Sequence, residues 1–298
     1  MANETTSTSL VSLINPEAIL EARLAFQQNV NLVSEVRLGD LTGVPTKVAS
    51  FPVYIQPAVS KTAEGTDQTT NATITPTDVT LTVARRIVKI LPTDLGFAAS
   101  GDNLSARLGQ LIGNARAKQV DTDILAVMTT NFTSSVGATN STDVSVANIL
   151  SALLVLEGNE SNQNLILALH PKQWNHIRGD LVLTAQVTTD GRGTDQSAQG
   201  QSVITSGLVS VPLFGARVFV TPRVGTGTDT NDMYLGILGN FSEGIAYAVK
   251  NVNAEMGIPE IELERDASLG ATEFVHNYYD STGIIRSAGL VLVKSQTY

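Results

Sequence analysis

The sequence predicts an α+β fold, and three patterns carry that expectation. A β ribbon spans Val44 to Leu91, apolar residues recur at helical spacing from Asp102 to Met128, and helices alternate with short strands from Ser145 onward. Taken in order, the first dozen residues are polar and rich in Ser and Thr, as in a free arm. Asn15-Pro16-Glu17 then supplies an N-cap, a proline at the first helical position and an acid in the first turn. The helix that follows runs to about Val30, with Ile19, Leu20, Leu24 and Gln27 along one side.

The ribbon has an unusual centre. Val48, Phe51, Val53 and Ile55 are answered by Val79, Leu81 and Val83, then Ile87, Val88 and Ile90, while Pro45, Pro52 and Pro57 confine the first half to an edge. Between them, the stretch from Ser60 to Asn71 has almost nothing apolar to bury. An isolated hairpin is at best marginally stable in water. With no continuous partner evident in its own chain, the ribbon is expected to lie on a neighbouring subunit; a hairpin folded back on its own domain is the other placement the sequence allows.

In the long helix, Asp102 or Ser100 can act as cap, and Leu104, Leu108, Leu111, Ile112, Ala115, Ile124, Val127 and Met128 form the apolar series. About 27 residues at 1.5 Å each give roughly 40 Å, enough to cross a domain. Arg107, Arg116 and Lys118 are read as its solvated face. After a polar loop at Thr129 to Thr142, a helix is expected over Ser145 to Leu156, a buried strand over Leu165 to Leu169 and a short helix over Pro171 to Ile177. Thr188 to Gln201 reads as a mobile Gly-rich loop. Strands are expected at Ala216 to Val220, Met233 to Leu238, Ile245 to Val249, Ile258 to Leu263, Thr272 to Tyr279 and Gly289 to Lys294.

Composition narrows the function. Only 16% of the 298 residues are charged while 42% are hydrophobic, so the chain can bury a core but covers its surface with Ser, Thr, Asn, Gln and Gly. Neutral polar surface suits protein contact, because burying it carries no ionic desolvation cost. The net charge of −9 argues against a nucleic-acid-binding face. No apolar run spans a bilayer, no secretion signal opens the chain, and the absence of Cys excludes thiolate chemistry and Cys-based zinc sites.

Catalytic motifs are near misses. His170 and His176 are six apart, which does not place two metal ligands on one helical face, and His170 reads as a hydrogen-bonded structural residue. Val224-Gly225-Thr226-Gly227 lacks the third glycine of a dinucleotide fingerprint, and Asn240-Phe241-Ser242-Glu243-Gly244 has Asn where a nucleophile elbow needs Gly. No catalytic residue, cofactor or metal site is expected. An enzyme reading would centre on Trp174, His176 and Arg178, which are more simply a helix packed on a core.

The order of elements resembles the major capsid proteins of tailed bacteriophages, whose fold is shared with encapsulins and the herpesvirus capsid floor. Ala63-Glu64-Gly65 sits where that family has its extended-loop tip. Arg86-Ile87-Val88-Lys89-Ile90-Leu91-Pro92-Thr93-Asp94-Leu95 resembles the strand leading into the spine helix, and Ala115-x-Ala117 followed by Asp121-x-Asp123-Ile124-Leu125 resembles that helix's ending. Gly207 to Val218 and Tyr278 to Arg286 resemble a later turn and strand and the final β crossing.

The resemblance implies an N-terminal arm at 1–43, an extended loop at 44–91, a peripheral domain at 92–144 and 251–298 with a spine helix over about 102–128, and an axial domain at 145–250. The loop at Asp190 to Gln201 would lie near the capsomer axis. Lys61, Glu64, Gly65, Asp67, Arg85 and Arg86 become the expected inter-subunit contacts. The implied partners are copies of the chain in hexamers and pentamers, a portal and a separate scaffolding protein, the hairpin beginning too early for a fused scaffolding segment. The shell would be icosahedral and enclose double-stranded DNA that its negative wall does not grip. Its place would be the virion, after assembly in the host bacterial cytoplasm; an encapsulin-like compartment is the alternative. Some relatives cross-link through a loop Lys and a peripheral Asn, and Lys61 and Asn277 have those residue types.

Overall fold

A computed structural model of the chain describes residues 18–27, 32–54, 57, 59, 61–65, 74–99, 104–130, 132–137, 143–187, 212–227 and 233–296. The polar arm before residue 18, Asp67 and the loop at 188–201 lie outside them. Helix α1 occupies residues 18–27, followed by strands β1 (Arg37–Asp40), β2 (Val48–Val53), β3 (Thr77–Thr82) and β4 (Ala84–Ile90). Helix α2 (Asp94–Ala99) leads into α3 (Leu104–Thr130), the expected spine at its expected length of 27 residues. Strand β5 (Ser135–Val136) interrupts what the sequence suggested was only loop, and pairs in parallel with the last strand.

Helix α4 (Val146–Gly158) starts where Ser145 caps it, its side chain accepting from the Asn148 amide. Strand β6 (Ile166–Leu169) runs into α5 (Pro171–Val187), ten residues longer than the sequence predicts. Strands β7 (Arg217–Val220), β8 (Thr226–Gly227), β9 (Met233–Gly239), β10 (Ile245–Lys250), β11 (Ile261–Asp266), β12 (Ala271–Ile284) and β13 (Leu290–Gln296) complete the chain.

The strands form two main sheets and a separate hairpin. In the first sheet β12 is the axis: β10 and β11 lie end to end along one side of it, β4 pairs along the other, and β1 adds to β10 in parallel. The second sheet has the order β5-β13-β9-β6-β7, with β8 beside β9. Its two faces are both buried. Leu165, Leu167 and Leu169 face α4 and α5 together with Ile149, Leu156, Trp174 and Ile177, while Ile166 and Ala168 face the C-terminal half of α3 through Val120, Ile124 and Leu125. Trp174 is thus a packed core residue. Strand β10 is buried on both sides too, with Ile245 and Tyr247 in the α3 core and Ala246 and Ala248 under the hairpin.

Two expectations are corrected here. The stretch from Val79 to Leu91 is not one strand. Its buried positions are odd-numbered as far as Val83 and even-numbered at Arg86, Val88 and Ile90, so the chain changes face and partner between Val83 and Ala84. Strand β3 pairs with β2, and β4 zips along β12 of its own body. The hairpin base is also seated at home: Phe51, Ala49 and Leu81 pack on Ala246 and Ala248. A sequence scan misses this seat because it consists of alanines and of Gly39 and Gly283, where a Cβ would meet Phe51 and Leu81.

Helix α1 is rotated from the expected orientation. Ala18, Ala22 and Ala25 face inward, while Leu20 is 66% exposed and Leu24 46% exposed. The reason lies on α3, where Gly109 and Gly113 let the two backbones touch; a Cβ at either position would collide with the carbonyl oxygen of Ala18 or Ala22. Closeness, rather than large side chains, defines this contact. For the same reason Leu111 and Ala115 of the apolar series point outward.

Replacing Gly113 with Leu is expected to displace α1 and to cost about 1–3 kcal/mol, the usual penalty of overpacking. Urea unfolding together with proteolysis near residues 18–27 checks this; an unchanged midpoint and an uncut α1 would contradict the tight seat.

Candidate assembly interface

The hairpin leaves the body at a root held almost entirely by polar contacts. The Leu41 amide donates to the Val249 carbonyl at 2.9 Å, and the Asn251 amide to Thr42 Oγ1 at 3.1 Å. Lys250 Nζ donates to the carbonyls of Val44 (2.6 Å) and Thr46 (3.0 Å), and Glu255 Oε1 accepts the Gly43 amide at 2.6 Å. Lys250 and Glu255 also face each other at 3.4 Å. Carbonyls of a non-repetitive turn need donors, and a lysine with three donors is suited to gather two of them.

Beyond the root, β2 and β3 pair over six residues each. Past Val53 the side chains have no core beneath them among the described residues: Tyr54 is 67% exposed, Val59 99% and Ile74 55%. The outer turn contains Glu64 and Gly65, with Gly65 at φ +80°, a backbone region that glycine enters without strain. Lys61, Glu64 and Gly65 are all exposed there.

Arg85 and Arg86 lie elsewhere, on β4 against their own β12. Arg85 donates through Nε and NH2 to Asn277 Oδ1 at 3.1 and 2.9 Å. Arg86 sits between two carboxylates: its Nε donates to Asp280 Oδ1 at 2.7 Å, and its NH2 lies 2.7 Å from Asp123 Oδ2 on α3. The Tyr247 hydroxyl donates to Asp280 Oδ2 at 3.3 Å. Burial pushes the Asp280 carboxyl above the usual aspartate range, with Arg86 pulling the other way. Burial likewise raises the Tyr247 phenol well above its ordinary value, keeping it a donor.

These four groups join β4, β10, β12 and α3 in one network. Further along the inner face of β12, His276 Nδ1 is 2.8 Å from the Glu260 carbonyl oxygen and is held neutral by burial. His170 accepts the Lys172 amide at Nδ1 (3.2 Å) and stacks on Tyr234, a structural role. Among the described residues no cluster of His, Asp or Glu is placed to hold a metal ion, and no helix is long and apolar enough to cross a membrane.

Sequence reasoning missed Lys250, Glu255, Asp123 and Asp280, because single charges with distant partners leave no local spacing to read. It also placed Arg116 on a solvated face. Instead Arg116 is half-buried, with its guanidinium carbon 4.4 Å from the Phe26 ring centroid and 5.1 Å from that of Tyr278.

Two sheets tied by one helix, with a hairpin rigid at its root and unsupported at its end, describe a subunit built to meet copies of itself. The comparisons agree. Residues 93–292 match the family model for phage capsid proteins, and the chain belongs to that family. None of the curated proteins matches it. The chain is similar in fold to a solved structure of Mycobacterium phage Che8, with 19% identity, 90% of each chain covered and a TM-score of 0.63. It is also similar to the acidic stable capsid of Helicobacter pylori bacteriophage KHP30, with 11% identity, 91% of each chain covered and a TM-score of 0.66. A virus-like particle from Pyrococcus furiosus shares the fold at 10% identity and a TM-score of 0.55, over 93% of this chain and 98% of that one. The role that the family assigns is structural.

Half-buried Glu260 and buried Asp280 should give opposite pH signatures. Glu260 is lowered by Arg23, which donates to it at 3.1 and 2.8 Å, against the cost of burial. Its stabilisation is present above the usual Glu value near 4.3 and is lost as pH falls through its folded value. Asp280 is raised, so the native state keeps its proton after the unfolded chain has released it. Stability from this group therefore falls as pH rises from about 3.9 through the folded value. In urea titrations across that range, Glu260→Gln should lessen the acid-side loss and Asp280→Asn should remove the opposing fall. Arg86→Met should cost about 3 kcal/mol at neutral pH by stranding the buried carboxylate.

Proposed function

We propose that this chain is the wall subunit of an icosahedral phage shell, assembling as hexamers and pentamers through its extended loop. The observation that carries this is the contrast along the hairpin. Its root and base are fixed by Lys250, Glu255, Phe51 and Leu81, while Tyr54, Val59 and Ile74 project without a core of their own. Exposed apolar side chains on an arm that its own fold holds in place find their burial on a neighbouring copy. Lys61, Glu64 and Gly65 are the proposed contacts at the tip, with Asp67 beside them in sequence. Arg85 and Arg86 serve the interface from behind, fixing the strand that returns from the loop.

The proposed partition is an arm at 1–43, a loop at 44–91, a peripheral domain at 92–144 and 251–298 and an axial domain at 145–250. The first sheet draws β1 from the arm, β4 from the loop, β10 from the axial domain and both β11 and β12 from the peripheral domain, so the units are welded rather than hinged. The interior would hold double-stranded DNA without sequence-specific contacts, consistent with a net charge of −9. A portal, a separate scaffolding protein and assembly in the host cytoplasm complete the reading; catalysis has no part in it.

Deleting residues 60–71 is expected to leave subunits folded and to abolish closed shells. Circular dichroism would report the fold, and sedimentation with electron microscopy the assembly. Normal particles from the deletion variant would remove the loop from its assigned role.

A further inference from the structure

A cleft of about 390 Å³ lies between α1, α3, β1, β10 and β12, walled by Arg23, Arg116, Lys250, Asp40, Glu260 and His276 among others. All but one of its charged groups make hydrogen bonds, and that one, Arg116, acts on Glu260 through its charge alone. Arg23 and Glu260 hold each other by two hydrogen bonds, and Asn251 Nδ2 lies 3.4 Å from Glu260 Oε1. Lys250 serves the carbonyls of Val44 and Thr46 and faces Glu255. Asp40 accepts the Thr42 amide at 2.9 Å, and these Thr42 contacts hold its carboxyl below the usual range.

Arg116 is the exception. Phe26 and Tyr278 take up the approach to its guanidinium from two directions, and its Nε is buried with no hydrogen-bond partner among the described residues. A guanidinium offers its donors only in its plane, in a fork that fits two oxygens at once. Leaving a guanidinium without acceptors is costly; Nε itself is shut off from solvent, so an acceptor brought from solution would meet the terminal nitrogens, which are not buried. His276, neutral and occupied by the Glu260 carbonyl, does not supply it.

We propose that this cleft binds a small free oxyanion, of the phosphate or carboxylate class, on the N–H edge of Arg116. The two carboxylates on the walls do not forbid it, since Glu260 is paired with Arg23 and Asp40 is turned to the Thr42 amide, and the wall cations Arg23, Arg116 and Lys250 outnumber them. Because the walls come from the arm helix, the spine and three strands of the first sheet, occupancy strengthens their mutual packing. Binding is therefore readable as stability, independently of whether shells form.

The test is thermal unfolding of the full chain in sodium phosphate, sodium acetate and sodium chloride at matched ionic strength, with calorimetric titration of phosphate and acetate into the wild type. At about ten times its dissociation constant, a bound anion should raise the midpoint by about 3 °C over chloride. A response to phosphate alone assigns the phosphate class, and a response to acetate alone or to both assigns the carboxylate class or either. Arg116→Lys keeps the charge and the stem but loses the fork, and should weaken the response at least ten-fold. The proposal fails if neither anion differs from chloride and no binding heat appears in the wild type, or if Arg116→Lys responds as the wild type does.

Discussion

One helix serves two hydrophobic cores, and the rest of the structure depends on that sharing. The N-terminal half of α3 places Leu108 and Ile112 against Phe274 and Ile261 of the first sheet, while its C-terminal half places Val120, Ile124 and Leu125 under the second. A helix of 27 residues is about 40 Å long, so both cores are threaded on one rod. Asp121 adds a polar rivet: it is buried, accepts the Leu32 amide at 3.2 Å and pairs with Arg223. The chain leaving α1 and the turn after β7 are thereby tied to the same point.

The inner face of β12 is the other unusual constraint. Phe274, His276, Tyr278 and Asp280 alternate along it, all buried, so polar groups lie where a sheet normally carries aliphatic ones. Each is satisfied by a different element: His276 by the chain before β11, Tyr278 by the Arg116 contact from α3, and Asp280 by β4 and β10. Buried polar networks of this kind add little net stability over well-packed apolar residues, but a partner set so specific permits one arrangement of strands.

What could be read from the residues divides along physical lines. The spine, the capped helix at Ser145, the strand into Pro171 and the closing strands were legible, since each is encoded by local periodicity or by caps. The family likeness was legible through the order of those elements. The seat of α1 was not, because Ala18, Ala22, Gly109 and Gly113 contribute proximity rather than hydrophobic bulk. The split at Val83 was visible only as a change in the parity of buried positions, easily taken for one continuous strand. Of the candidate contacts, the tip residues could be named from the polar stretch around them. The roles of Arg85 and Arg86 depend on partners nearly two hundred residues away, which no spacing reveals.

The glycine windows under the hairpin have a mechanical consequence. Phe51 and Leu81 press onto backbone at Gly39 and Gly283, which pins the angle at which the ribbon leaves the sheet. The pairing continues only as far as Val53 and Thr77 past those contacts, roughly 7 to 14 Å, so a change of about 10° at the seat would displace the end of the paired strands by only roughly 1 to 2 Å. So short and firm a lever lets identical subunits hold out their exposed ends at one set angle, leaving any adjustment around a closed surface to the unsupported stretch beyond Val53.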